Sequence, residues 1–522
     1  MSASRQKKLR KEQQAAAAPE TKRRVTEEEK AAKRLKIWSA VFYIVIAAMV
    51  LGLLAAAVWN SGLLHRMFTA VTVGEHKISA AQMNYFCADT INSDQFLPYF
   101  ADTTKTLGQQ QYDEENTFAD HYYAQAIERA KAVYAAYDQA IANGFTLSEE
   151  SKTGIETMVS NIDGYAAMSG YSSGNALLRA QYGKGCNTDN YKEYLTVVQL
   201  ASEYLTEYEG SLTATEQEIL DEVTANAVDY TSYSYRYQTF GTNDYYEGEK
   251  DAEGNYTEEQ TAAAFEAAKA DAQTVLEEVN GNADAFAEKE KSTMTEDGPS
   301  GRIPAALKEW LTAGERTEGE ATLIEMDNQG GCYVVMFLGT NDNTTVFPVN
   351  VRHILIQTDE EKAGTDASGN AVYSAEQMAA MRQEAQDILD QWKAGDATED
   401  SFAALANEKS ADPGSNTNGG LYEDVVPGQM VAAFNDWCFD ESRQPGDTGL
   451  VETSYGVHVM YFVGNSQQNY RDYQAEQAIV AEKYETWYTA LVEAMTAKDG
   501  VGRGLALKVV EDKKVPTKNS GY

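Results

Sequence analysis

Two stretches of this 522-residue sequence, about 228 to 341 and about 347 to 465, repeat the same punctuation in the same order, so a single architecture has to satisfy both. Each carries D-A-x-G-N, at Asp251 to Asn255 and Asp366 to Asn370, followed by a tyrosine and a capping-box start, Thr257 to Gln260 and Ser374 to Gln377. Each then becomes amphipathic at helical spacing; in the second copy Met378, Met381, Ala385, Ile388, Leu389 and Trp392 mark the apolar face. Trp310, Arg316, Gly319 and Glu325 keep the mutual spacing of Trp437, Arg443, Gly446 and Glu452. Both copies close on an apolar strand, C-Y-V-V-M-F-L-G ending at Gly339 and V-H-V-M-Y-F-V-G ending at Gly464. The sequence therefore predicts two copies of one α+β unit.

Ahead of them runs an uncharged stretch, Ile37 to Trp59, with a tryptophan near each end. At about 1.5 Å per residue it is long enough for a bilayer core of about 30 Å, so the sequence predicts a transmembrane helix. A cleavable signal peptide is the rival, since Ala55-Ala56-Ala57 imitates a cleavage site, but the apolar run is too long for one. Residues 1 to 36 hold twelve basic side chains against five glutamates, a net +7, which leaves −44 of the total −37 on the remainder. Positive flanks resist translocation, so the expected topology is a single-pass cell-membrane protein, N-terminus cytoplasmic and main body extracytoplasmic.

Such acidity argues against nucleic acid or anionic lipid as a partner of the body, because each phosphate would meet repulsion. Cys87, Cys186, Cys332 and Cys438 lie far apart, with no C-x-x-C pair and no histidine at metal-ligand spacing. Neither a metal site nor a disulfide framework is expected, and all four read as buried small apolar groups.

From Val71 to Tyr85 the pattern gives a short strand and turn leading into a helix capped by Ser79. Helical periodicity then continues to about Val228, broken near Gly170 to Gly174 and Gly183 to Gly185. The 32 tyrosines suit either an aromatic groove for extended peptides or an ordinary core. A last long helix is predicted from Tyr470 to Ala497, with Ile479, Tyr484, Trp487, Tyr488, Leu491 and Met495 on one side, docking back on the earlier helices; the final ten residues read as loose. The expected organisation is a basic tail (1–36), a transmembrane helix (37–59), a helical chaperone-like domain (70–227), a first α+β copy (228–341), a second (347–465) and a C-terminal helix completing the helical domain (466–510).

The second copy concentrates the chemistry. Its first strand, V-N-V-R-H-I-L-I from Val349 to Ile356, sends His353 to the face opposite Arg352 and Ile354. Then come F-A-A-L-A-N-E-K-S-A-D-P-G-S-N-T-N-G-G (Phe402 to Gly420), G-Q-M-V-A-A-F (Gly428 to Phe434) and G-D-T-G-L-V-E-T-S-Y-G-V-H-V-M (Gly446 to Met460). In order, spacing and residue type this stretch resembles the parvulin family of prolyl isomerases over essentially all of 347 to 465. The wider layout, an anchor, a helical region and parvulin units, is similar to PrsA-like and SurA-like secretion foldases.

The resemblance implies a peptidyl-prolyl cis/trans isomerase that assists exported proteins, with no cofactor and no metal, and unfolded exported chains bearing X-Pro segments as partners. By the same resemblance His353 and His458 are the central, mutually hydrogen-bonded histidines, Asp412 lies near the rotating amide and Tyr455 is an auxiliary catalytic residue. Met430 and Phe434 match the floor of the proline socket, with Gln429 and Thr453 at its border. Asp412 also reads as a turn cap before Pro413, and Met430 and Phe434 as plain core. The family usually shows G-G-D-L-G where this sequence has Gly419-Gly420-Leu421-Tyr422-Glu423, so Tyr422 stands where an apolar residue lines the socket. The acidic Asp359, Glu360 and Glu361 argue against a phospho-dependent preference. The first copy has no histidine in Y-T-S-Y-S-Y-R-Y (Tyr230 to Tyr237), and Cys332-Tyr333 where the second has Val457-His458; it reads as a degenerate, inactive copy that binds clients or spaces. The alternative is a holding chaperone with little or no isomerase activity.

Overall fold

The structure, a computed structural model, describes residues 3–15, 27–250, 254–279, 281–299, 303–358, 362–365 and 371–515. The D-A-x-G-N pairing, the acidic Asp359, Glu360 and Glu361, and the residues after 515 lie outside these in whole or in part. The chain divides into two units, 1–211 with 486–522, and 212–485.

In the first unit a helix runs from Glu27 to Asn60, and its Val41–Asn60 part is long and apolar enough to cross a membrane, with none of it buried against protein. Ser79 caps the helix Ala80–Ser93 through a full capping box, accepting from the Gln82 N–H. Longer helices follow at Phe118–Ala142, Glu149–Met168 and Thr188–Ser211, with the glycine-rich breaks falling where the sequence puts them. The core is rich in tyrosine: Tyr85 packs against Tyr182, Tyr191 and Tyr194 and donates to Asn190 Oδ1 at 2.7 Å. These rings are core, not an open groove.

The C-terminal region differs in detail from the sequence reading. The last long helix ends at Ala494, not Ala497, and Ala497–Asp499 forms a strand beside Thr69–Val73, which in turn pairs with His76–Ser79. A further helix, Arg503–Glu511, buries Ala506 and Val510 in the core with Ile78, Tyr85 and Tyr123. Val515 is also buried, so the residues just before 516 are packed, not loose. Trp487 stacks on Tyr208, ring centroids 3.8 Å apart, which ties the returning helix to the helical region.

In the second unit two four-stranded antiparallel sheets have one and the same topology. The first is ordered Thr293–Pro299, Ser232–Gly241, Gly331–Asn341, Ala321–Glu325; the second Leu421–Val425, Val349–Ile356, Gly456–Asn465, Thr448–Thr453. A long helix covers one face of each, Glu258–Val279 and Ala375–Ala394, and a short one the other, Ala305–Thr312 and Ala432–Cys438. Because both faces are covered, the central strand Val349–Ile356 is buried at Val349, Val351 and every position from His353 to Ile356, with only Asn350 and Arg352 partly exposed. The shared tryptophan and arginine explain themselves in space. Arg316 donates from Nε to the Trp310 carbonyl and lies 3.9 Å from that ring's centroid, and Arg443 does the same to Trp437 at 4.1 Å.

Candidate active site

Alternation along two neighbouring strands places the histidines. Val351 and Phe462 line the face that carries Phe434, whereas Ile354, Val457 and Val459 pack against the long helix, so His353 and His458 both emerge on the Phe434 face. The rings stack, centroids 5.1 Å apart, with Nδ1 to Nδ1 at 2.9 Å. They are 3% and 5% exposed. Phe434 meets both edge-on, at 5.5 and 5.4 Å.

Their protonation follows from the partners. His353 Nε2 lies 2.9 Å from Asp412 Oδ2. Burial pushes the Asp412 carboxyl up, but hydrogen bonds from Ser415, His353, the Gly414 N–H and Tyr422 outweigh it and hold it at about 2, so it is a carboxylate and Nε2 must be the donor. Burial lowers the His353 pKa against the opposing pull of Asp412, which keeps the ring neutral and leaves its Nδ1 an acceptor. His458 Nδ1–H is then the donor between the rings, and its Nε2 accepts from the Thr453 hydroxyl at 2.8 Å. Burial, followed by the neighbouring His353, brings the His458 pKa down to about 3. Thr453 Oγ1 itself accepts from the Tyr455 N–H at 3.1 Å. The result is one directed series of donors, Tyr455 to Thr453 to His458 to His353 to Asp412.

Of the residues named from sequence, the structure brings together His353, His458, Asp412, Thr453, Phe434 and Tyr422. The Tyr422 hydroxyl donates to Asp412 Oδ2 at 3.0 Å, with its ring 5.4 Å from that of His353. Met430 packs, half-buried, on the same cluster. Tyr455 takes part through its backbone: its carbonyl accepts from the Tyr373 hydroxyl at 3.1 Å and from Gln357 Nε2 at 3.0 Å, while the residue is 56% exposed. Gln429 is not brought to the rings by any contact; its Oε1 turns back to accept from the Val426 N–H at 2.9 Å. Phe434 is 3% exposed and forms the base of the cluster.

Ser415 was missed. It is fully buried, donates to Asp412 Oδ2 at 2.6 Å and lies 3.2 Å from His353 Nε2. The available signal was a hydroxyl three residues after an Asp-Pro turn start, a spacing that lets a side chain return to the aspartate. Gly420 explains the paired glycines: its φ is +70° and a Cβ would sit 2.2 Å from the His353 carbonyl, where the Gly420 carbonyl accepts from the His353 N–H at 2.9 Å.

In the first copy, strand register puts Tyr237 where the second has His353, and Tyr333 where it has His458. The two tyrosine rings lie 6.2 Å apart, edge to face. The loop that carries Asp412 and Ser415 has no counterpart of similar length between Ala287 and Thr293.

Residues 335–465 match a family model described as PPIC-type PPIASE domain. The chain is 32% identical over 83 residues to Foldase protein PrsA 1 of Listeria innocua, covering 16% of this chain and 28% of that one. It is 31% identical over 157 residues to Chaperone SurA of Pseudomonas putida, 28% and 32% of the two chains. Among solved structures, PrsA from Bacillus subtilis aligns over 77% of this chain and 91% of its own, at 13% identity and a TM-score of 0.24. The chain thus spans about a third of the length of these curated relatives. With the paired histidines and the matched residues together, 335–465 form a parvulin-type, PPIC-type prolyl-isomerase domain in a chain similar to PrsA and SurA foldases.

Proposed function

We propose that this chain is a peptidyl-prolyl cis/trans isomerase that assists exported polypeptides at the outer face of the cytoplasmic membrane, held there by Val41–Asn60. The observation that carries this reading is the neutral His353–His458 pair, fixed between Thr453 and Asp412 above Phe434. Rotation about the X-Pro bond is opposed by about 18 to 20 kcal/mol of amide resonance, and no covalent bond has to be made or broken. Twisting removes that resonance and with it charge separation across the amide. A site whose imidazoles are uncharged and whose one carboxylate is already saturated by donors therefore favours the twisted form over both planar ones. Asp412, Ser415 and Tyr422 hold the rings, and the half-buried Met430, packed on the cluster that Phe434 closes from below, supplies the apolar surface for the proline.

The test is cis/trans exchange of short X-Pro peptides with the full chain in detergent. Acceleration that His353→Ala lowers by roughly tenfold or more supports the enzyme. The Tyr237 and Tyr333 pair, which replaces both histidines in the first copy, favours client contact without catalysis there. If the full chain leaves exchange unchanged yet suppresses client aggregation, a holding chaperone is the function.

A further inference from the structure

The body of the chain is strongly acidic, yet one cavity in the first unit is basic. It has a volume of about 570 Å³, and its lining includes Trp59, His65, Arg179, Lys184, Lys513 and Lys514, together with Lys508 and Asp512. Asp512 Oδ1 is 2.9 Å from Lys508 Nζ, which also pairs with Glu511, so the one carboxylate of the lining is held in an ion pair of its own. Lys513 donates to the Gln181 carbonyl at 2.7 Å, and burial lowers its pKa. Arg179, Lys184 and Lys514 make no ion pair among the described residues. Their unpaired positive charge in an acidic body is a local field that attracts an anion.

Two further observations give the anion a chemistry and a place. His65 is 4% exposed, and its Nδ1 has no hydrogen-bond partner, which leaves a buried polar atom for a ligand to satisfy. Burial and then the charge of Lys184 lower its pKa, so the ring is neutral. Gly185 packs against His65: its φ is +91° and a Cβ would lie 2.7 Å from the His65 Cβ. Lys184 sits over the Trp59 ring, 5.5 Å from its centroid, and Trp59 closes the apolar segment Val41–Asn60. A tryptophan at the end of a span lies at headgroup depth, where lipid phosphates are.

We infer that this cavity binds the phosphate of an anionic phospholipid headgroup in the outer leaflet, held by Arg179, Lys184 and Lys514 beside His65 and Trp59. The assignment rests on Val41–Asn60 crossing the bilayer, as proposed above. It is the local exception to the repulsion that the overall acidity imposes on anionic lipid.

The experiment incorporates the full chain in nanodiscs of phosphatidylcholine, with or without phosphatidylglycerol, and follows amide hydrogen exchange over 177–186 and 503–515. A local readout is required because the basic residues between Arg5 and Lys36 also attract anionic lipid. Slower exchange in those segments with phosphatidylglycerol alone, lost in the triple variant Arg179→Gln, Lys184→Gln, Lys514→Gln, is the expected result. Each single charge removed weakens retention roughly fivefold, which is about 1 kcal/mol. Equal exchange in the two lipids, or protection that survives the triple variant, overturns the proposal. Millimolar inorganic phosphate that protects the segments in phosphatidylcholine discs assigns the cavity to soluble phosphate and overturns the lipid assignment. A chain that stays out of the discs overturns the anchor and the lipid together, whereas incorporation without local protection overturns the cavity alone.

Discussion

The Tyr422 hydroxyl meets Asp412 at the same carboxylate oxygen, Oδ2, that His353 uses, at 3.0 and 2.9 Å. A residue that departs from the usual family pattern is thereby tied into the polar network at its acidic end. Tyr422→Phe removes one donor to a charged acceptor, so it costs about 1 to 2 kcal/mol of domain stability and lets the Asp412 pKa rise from about 2. Denaturant midpoints and an NMR titration of the Asp412 carboxyl check both effects. Isomerisation falls less than about tenfold, since Ser415 and the Gly414 N–H still hold the carboxylate.

The pH dependence of stability has a definite sign. Both site histidines have pKa values lowered in the fold, His458 to about 3, against about 6.5 when unfolded. Below about pH 6.5 the unfolded chain binds protons that the native rings refuse, so stability is lost as the pH falls from there toward 3. Asp412, depressed to about 2, adds a loss in the same direction below about pH 4. Urea midpoints should be flat above about pH 7 and fall steadily below pH 6.5, and His458→Gln should flatten the fall. A midpoint that rises on acidification from pH 7 to 5 contradicts neutral rings.

Removing either histidine leaves a buried group of the other without its partner. His353→Ala and His458→Ala each lower kcat/KM by roughly tenfold or more, at least about 1.4 kcal/mol of transition-state stabilisation. The double variant loses less than the two single losses combined, because the rings act as one unit. Peptide exchange assays on the four proteins of the cycle measure this directly.

Arg443 and Arg316 make the same pair of contacts in the two copies, one to a tryptophan face and one to that tryptophan's carbonyl. Each arginine replaced by alanine costs about 1 to 2 kcal/mol by chemical denaturation. Lysine does not restore the loss, since it lacks the planar face that lies on the ring.

Much of the site was legible because strand alternation is a rigid rule. Alternation gave the face of His353, and the resemblance to parvulins gave its partner His458; with the two strands adjacent and both rings on one face, the rings meet. The repeat was legible from its shared punctuation and spacing, and strand register extends it to Tyr237 and Tyr333. Ser415 was signalled only by its spacing from Asp412, since its role comes from a loop closing on that carboxylate and not from any period. Gln429, expected at the border of the socket, has its Oε1 engaged by the Val426 N–H of its own short loop, a local bond that no period announces. The strand Ala497–Asp499 left no trace either: all three residues are exposed and show no alternation, and only Thr69–Val73, far away in sequence, makes them a strand.

That last pairing has a consequence for the order of events as the chain leaves the ribosome. The helix Ala80–Ser93 and the strand Thr69–Val73 emerge early, but Ala506, Val510 and Ala497–Asp499, which cover them, arrive only after both α+β copies are complete. The later-made copies can therefore close first, while the earlier-made helices wait with apolar surface uncovered. A ribosome stalled after Asn465 would leave this protein needing the kind of help it is proposed to give others.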